Sequence, residues 1–80
     1  MFYTYIIQSE PTGRYYIGST QDIEERLKRH NEGRGKYTKN KGPWKLRYTE
    51  KFADLSSARK RENFIKRQKS KKYIETLIAG

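Results

Sequence analysis

Residues 2–18 read FYTYIIQSEPTGRYYIG, and this stretch decides the fold. From Phe2 to Ser9 both alternating sets of side chains are bulky, with Tyr3, Tyr5 and Ile7 on one side and Phe2, Thr4 and Ile6 on the other. That pattern predicts a strand buried on both faces. Pro11 and Gly13 suit a tight reversal, after which Tyr15, Tyr16 and Ile17 return as a second strand of a hairpin. Gly18 has no side chain to pack, so it is expected either where a backbone or ligand approaches closely or where the strand exits into a turn.

Working outward, Asp22 and Glu25 have capping-box spacing, and Ile23, Leu27 and His30 then fall on one face of a short helix ending near Gly33. Between Asn31 and Pro43 there is no periodicity, only three Gly, one Pro and the basic residues Arg34, Lys36, Lys39 and Lys41. Loops of that length are usually functional or disordered. Trp44, Leu46, Tyr48 and Phe52 alternate with Lys45, Arg47, Thr49 and Lys51, which predicts a third strand with one wet face. Leu55, Ala58, Glu62 and Ile65 share the face of a second helix, and Tyr73, Ile74, Leu77 and Ile78 form the stripe of a third that begins near Ser70. The order is β-β-α-β-α-α: an α+β fold in a single domain over residues 1–80, with no internal repeat.

Composition bounds the function. The chain has 80 residues, 32% hydrophobic and 35% charged, with seven Tyr, three Phe and one Trp supplying the packing surface that a disordered chain lacks. No Cys and a single His exclude disulfide scaffolds, zinc fingers and cysteine enzymes. No apolar run is long enough for a membrane span or a signal peptide, so the cytoplasm is the expected compartment. Nineteen Lys and Arg against nine Asp and Glu give a net charge of +10, a field that draws in polyanions, nucleic acid foremost.

Two residues break the helical patterns. Glu62 points between Ala58 and Ile65, in the middle of a core-facing stripe. A carboxylate there is expected to meet a cation, bind a metal or line a cavity. Arg26 lies on the same flank as His30, one turn earlier, where the two can hold a phosphate or simply lie along the helix surface. Tyr5 and Tyr16 sit on neighbouring strands as hydrogen-bonding groups, or as bases if adjacent positive charge lowers their pKa.

Tyr3-Thr4-Tyr5, the triplet Tyr16-Ile17-Gly18, Arg26, His30 and the downstream Glu62 together resemble the GIY-YIG nuclease domain. The whole chain is covered. With His30-Asn31-Glu32-Gly33 and Arg61-Glu62-Asn63-Phe64-Ile65-Lys66 it looks most like the small standalone bacterial members of that superfamily. The second triplet is intact, the first keeps only its tyrosine, and the only Asn beyond Glu62 is Asn63.

The resemblance implies a three-stranded antiparallel sheet flanked by helices and hydrolysis of DNA phosphodiesters with a divalent metal, Mg²⁺ or Mn²⁺. Carried over residue by residue, Glu62 would bind the metal, Arg26 would stabilise charge on the scissile phosphate, His30 would assist by hydrogen bonding, and Tyr5 with Tyr16 would position or deprotonate the attacking water. Specificity would come from the domain itself or from a targeting protein partner. The competing readings are a nucleic-acid-binding module with the same fold and little or no cleavage, and an RNA-associated or protein-interaction role carried by the basic surface. In each nucleic-acid reading the loop from Arg34 through Lys36 and Lys39 to Lys41, with a subset of the cations from Arg59 to Lys72, chiefly Lys66 and Lys69, is expected to touch phosphate.

Overall fold

In a computed structural model that describes residues 1–80, the first strand is the middle of the sheet. β1 (Phe2–Ser9) pairs antiparallel with β2 (Tyr15–Thr20) on one side and with β3 (Trp44–Phe52) on the other, giving the order β2-β1-β3. α1 (Ile23–Asn31) links β2 to β3, and α2 (Leu55–Gln68) and α3 (Lys71–Ala79) complete the expected element order.

A central strand with helices on both faces has no wet side, which is why β1 is bulky throughout. On one face Tyr5, Ile7 and Trp44 pack with Tyr16 and with Ile23 and Leu27 of α1. On the other, Ile6, Ile17 and Ile65 pack with Tyr15, Tyr48 and the α3 residues Tyr73, Ile74 and Leu77. The Thr4 hydroxyl, fully buried on the second face, donates to the Ala58 carbonyl of α2 at 2.7 Å. Asp22 and Ser70 cap α1 and α3 where those helices are expected to begin, and Asp54, which does not stand out in the sequence, caps α2; the three accept from the backbone N–H of Glu25, Tyr73 and Ser57. Gly33, at φ 76°, takes the left-handed turn just beyond α1.

β3 departs from the expected pattern. Its register against β1 slips between Ile6, opposite Tyr48, and Ile7, opposite Leu46, so Arg47 is an extra residue. Such a bulge reverses which face the following side chains meet. Trp44 and Leu46 therefore lie on the α1 face, whereas Tyr48, Glu50 and Phe52 lie on the α2 face. The single stripe read from alternation is two half-stripes, and Leu46, beyond the reach of either core, stays 37% exposed.

The long loop is pinned at several points. Trp44 N–H donates to Asn31 Oδ1 at 2.5 Å, the Trp44 indole donates to the Thr38 carbonyl at 3.1 Å, and the Ser9 hydroxyl donates to the Lys41 carbonyl at 2.5 Å. Thr38 is fully buried. No helix is long and apolar enough to cross a membrane.

Candidate active site

The hairpin register builds the site. Tyr5 is paired with Gly18, and Tyr16, two residues earlier on β2, shares its face. The Tyr5 ring crosses the space above Gly18, where a Cβ would meet its phenol oxygen at 2.5 Å. Crossing there brings the phenol to α1, where its oxygen lies 3.0 Å from His30 Nε2. The His30 ring in turn sits 4.9 Å from the Tyr16 ring, and the two tyrosine rings are 6.5 Å apart. Three residues singled out separately along the sequence thus form one aromatic cluster.

Thr38 completes it. Its hydroxyl lies 2.8 Å from His30 Nδ1, so both imidazole nitrogens are occupied and the ring is fixed between β1 and the loop. Gly35 makes room: a Cβ there would stand 2.3 Å from Thr38 Oγ1 and 2.9 Å from His30 Nδ1. Neither Thr38 nor Gly35 stands out in the sequence. The signal available was one small hydroxyl in an otherwise basic, glycine-rich loop, which says nothing until the loop is seen folded onto α1.

Burial dominates the electrostatics. It pushes the Tyr5 phenol well above its ordinary value near 10, helped by Tyr16 and by the Glu62 carboxylate, and the Arg26 cation offsets this only in part. Tyr5 is therefore held protonated, contrary to the expectation that adjacent cations would ease its ionisation. Burial likewise lowers His30 from its ordinary value near 6.5, with Arg26 and Arg29 acting in the same direction. His30 is a neutral imidazole at neutral pH. Tyr16 is half-buried, its ring set against His30 and edge-on to Trp44.

Arg26 and Glu62 reach the site from opposite faces of β2, which is an edge strand. Arg26 projects from α1, and its Nε is the one buried side-chain polar atom in the protein with no hydrogen-bond partner. Glu62 projects from α2 with its side chain 17% exposed, taking a hydrogen bond from Ser19 Oγ at 2.6 Å and an ion pair from Lys66 Nζ at 2.6 Å. The Tyr5 phenol feels both charges in opposite directions, Arg26 lowering its pKa and Glu62 raising it. A hollow of about 370 Å³ opens beside Arg26, lined also by Arg59 and by Ser19, the hydrogen-bond partner of Glu62.

No group of three or more His, Asp or Glu side chains converges anywhere in the fold. That fits a Mg²⁺-like ion held by one carboxylate together with waters and substrate phosphate, and does not fit an ion enclosed by protein ligands. Glu62 could be that carboxylate, and Lys66, half-exposed on a flexible stem, is the cation that would then have to yield to the ion.

The other candidate phosphate-binding cations divide between the two faces. In the loop, Arg34 pairs with Glu32 at 2.6 Å, Lys41 donates to the Tyr37 carbonyl, Lys36 stands over the Tyr37 ring, and Lys39 is exposed. Lys66 and Lys69 lie on the α2 face beside Ile17 and Ile65. Arg61 is occupied elsewhere, bound through Nε and a terminal nitrogen to Glu50 of β3.

Residues 1–74 match the GIY-YIG catalytic domain. The chain is 46% identical over 79 residues to a UPF0213 protein of Staphylococcus saprophyticus, covering 98% of this chain and 95% of the relative. It is 43% identical over 67 residues to a UPF0213 protein of Halobacterium salinarum, covering 82% and 86% of the two chains. The solution NMR structure of a UPF0213 protein from Bacillus halodurans superposes with a TM-score of 0.61 at 34% identity, over 99% of this chain and 84% of that one.

Proposed function

The chain belongs to the GIY-YIG catalytic-domain family, and on that premise we propose that it is a divalent-metal-dependent endonuclease hydrolysing DNA phosphodiester bonds. The observation that carries the reading is the buried, unpartnered Nε of Arg26. A native fold leaves few such donors unsatisfied, and one whose cation acts on the Tyr5 phenol is a donor waiting for an anionic oxygen. A phosphate seated there satisfies it, and the interaction strengthens as negative charge builds on the phosphorus oxygens.

Burial and contact support the remaining roles. Tyr16, less deeply buried than Tyr5, is the phenol placed to orient the attacking water and, as its phenolate, to take the proton. Tyr5, protonated and tied to His30, positions the cluster. His30 is held by Thr38, so it keeps one orientation while Tyr16 packs against it. Glu62, steadied by Ser19, is the carboxylate that would hold Mg²⁺ or Mn²⁺. The ion would supply charge neutralisation at the phosphate.

One observation favours a second reading, a nucleic-acid-binding module that does not cut: Lys66 already neutralises Glu62. A cleavage panel of single-stranded, duplex and branched DNA plus RNA, with Mg²⁺, Mn²⁺ or chelator, separates the two. We expect metal-dependent DNA cleavage that falls by orders of magnitude in Glu62→Gln while binding and the melting transition persist. A parent chain that binds every ligand and cuts none establishes the binding module instead.

A further inference from the structure

A second concavity lies on the α2 face, away from Tyr5, Tyr16 and His30. The β1–β2 turn, the start of β2 and the α2–α3 junction enclose a groove of about 430 Å³. Ile17 and Ile65 are buried at its base, with Tyr15 and Ile74 half-buried beside them. The rim is cationic: Arg14, Lys66, Lys69 and Lys71 line the groove, and no Asp or Glu does. Arg14, Lys69 and Lys71 enter no ion pair within the protein, whereas Lys66 is the partner of Glu62. The groove and the candidate metal-binding carboxylate therefore share a lysine.

Three uncompensated cations around one concavity repel one another and concentrate positive potential there, which an anion relieves. An apolar floor bearing a half-open tyrosine asks for something flat and apolar at the same time. A DNA duplex meets the first demand only, because its base faces are hidden in the stack and it offers phosphates and base edges. An unpaired strand meets both, exposing a base for stacking and a phosphate on each side of it. The volume is in the range of pockets that take small ligands, about 300–1,000 Å³, enough for one nucleotide unit and too little for a duplex.

We propose that this groove holds an unpaired DNA strand next to the cleavage point, with a base against Tyr15 and the apolar floor and its phosphates on Arg14, Lys69 and Lys71. The proposal rests on the nuclease reading for the identity of the polyanion. It adds a structural preference, for substrates that carry a single-stranded segment beside the scissile bond.

The test uses binding in chelator, so that catalysis plays no part and a failure of the nuclease reading appears separately, as absence of cleavage by the parent chain with metal. Arg14→Glu/Lys71→Glu reverses two exposed rim charges, and a glutamate in the first turn of α3 favours the helix dipole, so the fold is retained. Short oligothymidylate and a duplex of equal length are titrated by fluorescence anisotropy over a salt series. The expected result is roughly a tenfold or larger loss on oligothymidylate, its salt slope shallower by about 0.7 for every phosphate the variant no longer neutralises, with duplex binding changed several-fold less. Tyr15→Leu keeps the apolar filling and removes the stacking face, and is expected to weaken oligothymidylate by roughly fivefold or more with no change on duplex. Equal losses on both ligands, or full-strength oligothymidylate binding by both variants, overturn the groove.

Discussion

The Tyr5 ring lies over Gly18, its cross-strand partner, so closely that a Cβ at position 18 would stand 2.5 Å from the phenol oxygen and 2.6 Å from Cζ. The glycine of the second triplet is therefore a spatial requirement of the tyrosine in the first. Only across a bare backbone can the phenol pass from the middle strand to His30 on α1. This makes the pair one unit, although its members are separated along the chain by a turn.

Gly18→Ala should thus act through Tyr5. The ring is fully enclosed and has no free rotamer to take up, so the substitution is an overpacking defect worth about 1–3 kcal/mol in chemical denaturation. Turnover should fall as well, since the Tyr5–His30 contact cannot be kept. The origin is tested by Gly18→Ala/Tyr5→Leu: the smaller side chain vacates the clash, and the double variant should be less destabilised than the sum of the two singles. Strict additivity would mean that the glycine serves its own backbone and not the tyrosine.

Much of this arrangement was legible because the residues lie on periodic elements. Alternation put Tyr5 and Tyr16 on neighbouring strands, and helical spacing put Arg26 with His30 and marked Glu62 as a carboxylate in an apolar stripe. What escaped has no period. Thr38 and Gly35 sit in a loop whose path depends on Trp44 and Asn31. The bulge at Arg47 is invisible to alternation, because one extra residue leaves a polar–apolar pattern intact while exchanging its faces. Nothing in the sequence marks Ser19, and only its place on the α2 face of β2, opposite Thr4, brings it to Glu62.

His30 predicts an acid-labile fold. Its folded-state pKa lies below its ordinary value near 6.5, chiefly because it is buried, so the folded state binds fewer protons than the unfolded chain in that window. The stability it contributes is fully present above about pH 6.5 and is lost as pH falls through the depressed value. Melting temperatures across this range should drop on acidification in the parent and follow a flatter acid limb in His30→Gln. Thr38→Val removes the hydroxyl at Nδ1 with little change in volume, leaving a buried nitrogen unpaired, and should cost about 1–3 kcal/mol. Parallel parent and His30→Gln profiles would assign the acid sensitivity to carboxylates instead.

Arg61 is a cation whose loss should damage the fold and spare binding. Its guanidinium bonds both oxygens of Glu50 near 3.1 Å, Tyr48 donates to the same carboxylate, and the Tyr73 hydroxyl lies at 3.5 Å. These contacts tie β3, α2 and α3 together, and the Glu50 carboxylate raises the arginine's pKa further above its ordinary value. With both side chains 26% exposed, removing Arg61 should cost about 1–3 kcal/mol, between the values of surface and buried pairs. Arg59→Ala, on the exposed side of the same helix, should leave stability within about 0.5 kcal/mol. The salt slope for DNA should be unchanged in Arg61→Met; a shallower slope would place Arg61 on the phosphate surface after all.

Arg26 separates stability from activity most sharply, because its Nε satisfies nothing inside the protein. Arg26→Met keeps the packing of the stem while removing a buried donor whose isolation costs the folded state about 1–3 kcal/mol, so the variant should be as stable as the parent or slightly more so. Turnover at saturating substrate should nonetheless fall by roughly a hundredfold or more, with affinity reduced far less, because the missing interaction grows as charge develops on the phosphate. Arg26→Lys should rescue little of this: a lysine carries the charge but has neither an Nε donor at that position nor a planar fork. Single-turnover rates, binding constants and melting temperatures on the three proteins decide the matter. Full rescue by lysine, or an equal fall in affinity with turnover intact, would reduce Arg26 to a simple electrostatic anchor.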